Sequence, residues 1–152
     1  MRYFARTTAL LVVAVAPVLA YAQLAPADAI KARINAYREL GASFKNLNDQ
    51  LKSGQPAKVM LRHSARQIQS ASKAQYGWFP AGSGPATGVK TKAKAVIWSD
   101  MALFQSLQKK FESEARLMAK AVEQGDTSLI RKQAASLGRS CKACHDKFRE
   151  ES

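Results

Sequence analysis

From Thr127 to Glu150 the chain sets Ile130, Ala134, Leu137, Cys141, Cys144 and Phe148 at steps of four and three. That repeat belongs to one helix face turned toward a core. Two thiols therefore sit in an apolar stripe, which restricts what the far end of this helix can pack against. The same cysteines open the run Cys141-Lys142-Ala143-Cys144-His145, a CxxCH motif. In an exported chain this spacing is the attachment signature of a c-type haem. Thiols three residues apart add across the two vinyl groups of the porphyrin, and an imidazole four residues from the first thiol lies on nearly the same face. Cys141 and Cys144 are thus expected to hold one covalent haem c inside the fold, with His145 as an axial ligand of its iron. A thioredoxin-like redox pair shares the spacing but sits near a βαβ pattern, and no strand-like alternation occurs here. A structural zinc site needs four ligands; Cys141, Cys144 and His145 make three, and His63 is the only other histidine.

The first 22 residues read as a secretory leader. Arg2 and Arg6 form a positive start, Thr7 to Leu19 is uncharged and mostly apolar, and Ala20-Tyr21-Ala22 offers a small-x-small cleavage site before Gln23. The apolar run falls short of the roughly 20 residues an ordinary membrane span needs, so no stable insertion is expected after cleavage; an uncleaved anchor is the alternative. Haem joins c-type cytochromes outside the cytoplasm, so leader and motif agree on the periplasm of a Gram-negative bacterium. Residues 23–152 then form a single domain, large enough to enclose a haem. The formal net charge is +13, and the leader holds only two arginines of that total. Such a surface suits anionic partners, an acidic electron-transfer protein or lipid headgroups, or is simply solvated. Without a binding motif, nucleic acid is not an expected partner.

Four helix-like segments separated by breakers make up the rest. The first runs from about Pro26 to Lys52, with Ile30, Ile34, Tyr37, Leu40, Phe44, Leu47 and Leu51 at helical spacing, and stops at Ser53-Gly54-Gln55-Pro56. The second reaches about Gln75 with Met60, Leu61, Ala65, Ile68 and Ala71. The third spans about Ala95 to Glu123, and the fourth begins after Gly125-Asp126, with Asp126 or Thr127 as its cap. Between the second and third lies the longest irregular stretch, Tyr76 to Lys92, rich in Gly and Pro. A loop of that length in a small domain is usually functional or mobile. Tyr76, Trp78 and Phe79 at its start are aromatics for a porphyrin edge or for packing at a helix end. The expected architecture is all-α, an antiparallel up-down-up-down four-helix bundle enclosing the covalently bound haem.

The chain resembles cytochrome c′, the high-spin branch of the class II cytochromes c. The likeness is carried by Ser140 to Arg149 (SCKACHDKFR), Ile97 to Asp100 (IWSD), Phe79 to Gly84 (FPAGSG), and an Arg-x-x-x-aromatic element at Arg33 and Tyr37. It implies that Cys141 and Cys144 carry the haem and that His145 is the proximal ligand, with Arg149 the basic residue beside that imidazole. It further implies that Arg33 lies near the haem propionates, where a guanidinium can pair with carboxylates, and that Tyr37 covers the sixth coordination site. For Arg149 the alternative is a cation favouring the helix dipole, and for Arg33 a solvated helix face. Tyr37 takes a position where many members carry Leu. The resemblance also implies binding of nitric oxide and carbon monoxide, a part in nitric oxide tolerance, some electron transfer, and a homodimer formed through the first two helices.

Low-spin relatives place a Met from the first helix on the iron, yet no Met occurs between Gln23 and Val59. Met60, Met101 and Met118 read as core filler. The iron is therefore expected to be five-coordinate, with an apolar distal face that admits neutral diatomics and disfavours polar bound oxygen. The rival is a low-spin electron carrier in which Met60 or His63 reaches the iron. A peroxidase-like enzyme would need a distal acid–base pair, which neither the first helix nor the aromatic loop supplies with His, so no enzymatic turnover is expected. A haem-free helical binding protein is the remaining rival.

Overall fold

A computed structural model describes residues 24–151. The expected leader and its cleavage site lie outside the described residues. Five helices follow in order: α1 Pro26–Lys52, α2 Lys58–Ala74, α3 Val96–Ser99, α4 Met101–Gln124 and α5 Thr127–Phe148. The four long ones form the up-down-up-down bundle. Pro26 opens α1, where its missing N–H is no loss. The turn into α2 is held by the Gln50 side chain, which accepts from the Ala57 N–H at 3.0 Å.

The third segment differs from the single helix expected over Ala95 to Glu123. It breaks at Asp100, whose backbone leaves helical geometry and whose carboxylate accepts from the Leu103 N–H at 3.2 Å. Asp100 is thus the N-cap of a new helix, a role hidden because the apolar stripe runs through it without interruption. Asp126 caps α5 in the same way, accepting from Ser128 at 2.8 Å and Leu129 at 3.2 Å. Gly125 just before it takes φ +78°, a left-handed turn that an L side chain resists. The fourth helix ends at Phe148, two residues short of expectation. There the chain turns extended, and the Lys94 N–H donates to the Phe148 carbonyl at 3.0 Å while the Glu150 N–H donates to Lys92 at 2.8 Å. This strap ties the far end of the loop to the end of α5.

The main core gathers Leu47, Leu51, Leu61, Ile68, Phe111, Met118, Ile130 and Leu137, with neighbours, from all four long helices. Full burial of each large aliphatic side chain contributes on the order of 1.5–3 kcal/mol. Neighbouring helices pack in sequence, α1 on α2, α2 on α4 and α4 on α5, but α1 and α5 hardly meet. They approach at Gly138, where an added Cβ would lie 3.4 Å from the Phe44 ring. Seven residues further along each helix, in opposite directions, Tyr37 stands opposite the CxxCH segment. The bundle therefore closes at one end and stays spread between α1 and α5 at the other.

A buried polar clasp fixes the spread end on the α2–α4 side. Gln75 donates its amide to the carbonyls of Ser72 at 2.9 Å and Gln108 at 3.2 Å, and Gln108 donates back to the Gln75 carbonyl at 3.2 Å. Both side chains are almost fully buried, so the bonds carry full desolvation weight. Gln75→Ala is expected to lower unfolding free energy by about 2 kcal/mol, read from chemical denaturation; a loss indistinguishable from that of an exposed glutamine would contradict the clasp.

Candidate haem site

The two thiols sit where two clusters join. Cys141 packs against the main core, and Cys144 against a second cluster of Ile97, Phe104 and Phe148 joined by Phe79, Trp98 and Met101. Both are free and half-buried. Burial pushes the Cys141 thiol up, and burial with the neighbouring Cys141 raises Cys144 to about 11. Reactive cysteines need the opposite shift, toward thiolate at neutral pH, which argues against a thioredoxin-like pair. Among the described residues no three or more His, Cys, Asp and Glu side chains gather as ligands for a bare metal ion.

His145 follows on the same turn with a more exposed ring. Partial burial and then the charge of Arg149 hold its imidazole below the usual value, with Asp146 opposing. The ring is neutral near pH 7, as a nitrogen ligand must be. Arg149 stands one residue past α5, bridged to Ala93 through the backbone, and its charge reaches His145.

Across the spread end, Tyr37 meets the aromatic loop. Its ring lies edge-on to Trp78 with centroids 4.8 Å apart, and 6.1 Å from Phe79. Burial first, then Cys144, push its phenol well above the ordinary range, with Arg33 opposing and Cys141 adding to the rise. The phenol thus stays protonated at neutral pH, and both thiols fall within its electrostatic reach. Phe79 continues edge-on into Phe104 at 4.7 Å, and Phe104 into Phe148 at 5.1 Å. Tyr37, Trp78, Phe79 and both thiols are brought together in this way. These residues suit a haem: a thiol pair on one helix, a neutral imidazole beside it, aromatic edges around it, and helices that do not close on each other at this end.

Arg33 and Tyr76 are held by other protein groups. Arg33 is not the solvated helix face offered as its alternative. It is 3% exposed, and both terminal nitrogens of its guanidinium are committed to the loop, to Trp78 O at 3.2 Å, Ser83 Oγ at 3.1 Å, Ser83 O at 3.0 Å and Thr91 Oγ1 at 3.3 Å. The faces of Phe79 and Trp98 cover it at 4.5 and 5.7 Å. Arg33 thus ties α1 to the loop. Tyr76, only two residues before Trp78, turns outward and donates its hydroxyl to Glu112 at 2.7 Å. It does not join the others. Ser83, Thr91 and Trp98 are the residues that sequence reasoning missed; a fully buried serine inside a Gly-rich loop leaves no periodic signal. Trp98 donates to the Pro80 carbonyl at 3.2 Å and lies 3.3 Å from where a Cβ on Gly84 would stand, so that glycine admits the indole. Partial burial and the Glu112 carboxylate push the Tyr76 phenol up to about 12. Glu112→Gln should return it toward the ordinary 10 in an ultraviolet pH titration, and an unmoved transition would refute the pairing.

Comparison with known proteins agrees with this geometry. The family model described as cytochrome C′ matches residues 28–149. A cytochrome c′ of Pararhodospirillum photometricum is 33% identical over 125 residues, covering 82% of this chain and 98% of the relative. Among solved structures, a nitric oxide complex of the L16A mutant of Alcaligenes xylosoxidans cytochrome c prime superposes with a TM-score of 0.75 at 26% identity, over 84% of this chain and 97% of that one. A cytochrome c′ described by its unusual ligand-controlled dimer dissociation has a TM-score of 0.80 over 86% of this chain and all of that one; at 22% identity it speaks for the fold alone. The chain belongs to the cytochrome c′ family, whose members bind one covalently attached c-type haem.

Proposed function

We propose that this protein is a periplasmic haem protein that binds nitric oxide and carbon monoxide at an iron lacking a sixth protein ligand. Cys141 and Cys144 form the two thioethers, His145 is the proximal ligand, and Arg149 lowers the proton affinity of its ring. The carrying observation is Tyr37. It is the α1 side chain set across from the thiols, and its phenol is held protonated, a poor donor to iron. Haem held in this way supplies an iron that takes up diatomic ligands and exchanges single electrons. The chain's own part is to seat it: Phe79 and Phe104 keep water from the thiol side, and Tyr37 with Trp78 covers the opposite face. A wall this apolar favours neutral diatomics over polar bound oxygen.

The nitric oxide complex known for the Alcaligenes relative supports the ligand class. The two donors named for the low-spin reading, Met60 and His63, lie away from the thiols. Met60 and His63 are exposed at the start of α2, beside the end of α1 and so at the closed end of the bundle, and His63 pairs with Gln67 at 3.2 Å. A homodimer formed through the first two helices is what the family resemblance implies, and exposed Val59 and Met60 are apolar surface available on α2. The leader, cleaved before Gln23, delivers the chain to the periplasm. No helix among the described residues is long and apolar enough to cross a membrane. The net charge of +13 suits an acidic redox partner.

Adding nitric oxide to the ferrous haem-loaded protein, in which His145 would hold the iron, should change its absorption spectrum; an unchanged spectrum at excess ligand refutes the proposal. Replacing both cysteines, Cys141→Ser with Cys144→Ser, should leave a polypeptide whose mass under denaturing conditions lacks haem. Retained pigment would reassign the attachment.

A further inference from the structure

We propose that the outer groove between α2 and α4 binds a small anion with two charged, oxygen-rich groups, the class of pyrophosphate and short dicarboxylates. The groove holds a cleft of about 240 Å³, lined by Gln69 and Lys73 of α2 and by Lys109, Glu112, Ser113 and Arg116 of α4. None of these belongs to either apolar cluster that meets the thiols, so the cleft is a separate place on the molecule. The two helices run antiparallel, with Gln75 bonded to Gln108 at one end of the groove and Arg62 paired with Glu123 at the other. Lys73 and Lys109 therefore enter the cleft beside the glutamine clasp. Arg116 enters it two turns further along α4, about 10 Å away at a rise of about 1.5 Å per residue. Between the two ends the Ser113 hydroxyl and the Gln69 amide supply neutral donors.

The charge of the cleft is one-sided, and a single hydroxyl keeps it so. Along its whole length α2 carries no Asp or Glu. On α4, Glu123 is taken by Arg62 at 3.3 Å and Arg66 at 3.9 Å, and Glu114 accepts from Gln133 of α5 at 2.6 Å. Glu112 is the one carboxylate in the cleft wall. It stands three residues after Lys109 and four before Arg116, the spacings at which helical ion pairs form. It pairs with neither; its carboxylate instead accepts the Tyr76 hydroxyl at 2.7 Å. Lys73, Lys109 and Arg116 thus line the cleft with no carboxylate at ion-pair distance among the described residues. Cations gathered around a concavity repel one another, and an anion seated there relieves that repulsion, with the guanidinium fork of Arg116 offering paired donors. Tyr76, which has no place beside the thiols, has one here: it draws the competing carboxylate aside.

The test is isothermal titration of the haem-loaded protein in about 0.15 M chloride, which screens the long-range pull of a basic surface. Inorganic pyrophosphate, succinate or both should bind with a Kd below about 1 mM, and the comparison names whether phosphates or carboxylates are the preferred groups. Arg116→Gln should weaken binding by about tenfold. Glu112→Gln removes the opposing charge and should tighten it by about fivefold. Tyr76→Phe alters no charge but frees Glu112 to pair with Arg116, and should weaken binding by about threefold. Lys110→Gln removes a cation next to Lys109 but off the cleft wall, and should leave the affinity as it is. These side chains lie at or near the surface, so the variants keep the fold. No binding of either anion in this range overturns the proposal. So does equal weakening by Lys109→Gln and Lys110→Gln, which would mark general attraction to a basic surface. A Tyr76→Phe variant that binds as tightly as wild type overturns the part given to Tyr76.

Discussion

A helix has one face to give to a core, and α5 spends the last third of that face on two thiols. Everything at the spread end of the bundle follows from this constraint. Where Ile130 and Leu137 interdigitate with the other helices, the core is filled by side chains alone. Beyond Leu137 the stripe continues as Cys141 and Cys144, which are smaller, and contacts between α1 and α5 are few. The aromatic residues of the loop and of α4 supply the volume that the helices do not, in a chain of tilted and edge-on ring contacts from Tyr37 to Phe148. Such ring pairs contribute about 0.5–1.5 kcal/mol each beyond area burial.

The loop carrying those rings would be poorly held by its own contacts, because glycine-rich segments lose much entropy on ordering. Its order comes from outside, from Arg33 on α1 at one side and from the strap between Lys94 and Phe148 at the other. Exposed ion pairs such as Lys45 with Asp49 and Lys142 with Asp146 add little to this. The aromatic wall is thus anchored to the first and last helices alike, the two elements that face each other across the CxxCH segment. That shared anchoring relates the fold to the site.

Much of this could be read from residue spacing. The bounds of α1 agree at both ends, and the cysteines lie on the core-facing stripe as the four-three repeat requires. Periodicity failed where a cap interrupts it, since Asp100 splits a continuous apolar stripe by a single carboxylate bond. It also failed for Arg33 and Tyr76, for a different reason. Sequence shows that a cation and a phenol are present but not which oxygen each will meet, and their partners lie 50 and 36 residues away. Tyr76 and Trp78 are nearly adjacent, yet the short turn at Gln75–Gly77 sends one ring outward and the other inward. The family resemblance supplied roles for these positions; the geometry adds the loop partners of Arg33.

The central claim is a covalently held haem whose iron is bound by His145 on one side and by no protein atom on the other. The electron paramagnetic resonance spectrum of the resting ferric protein tests it most directly. This account predicts the axial signal of a high-spin, five-coordinate centre. A low-spin spectrum from an iron already bound by two protein side chains would contradict it.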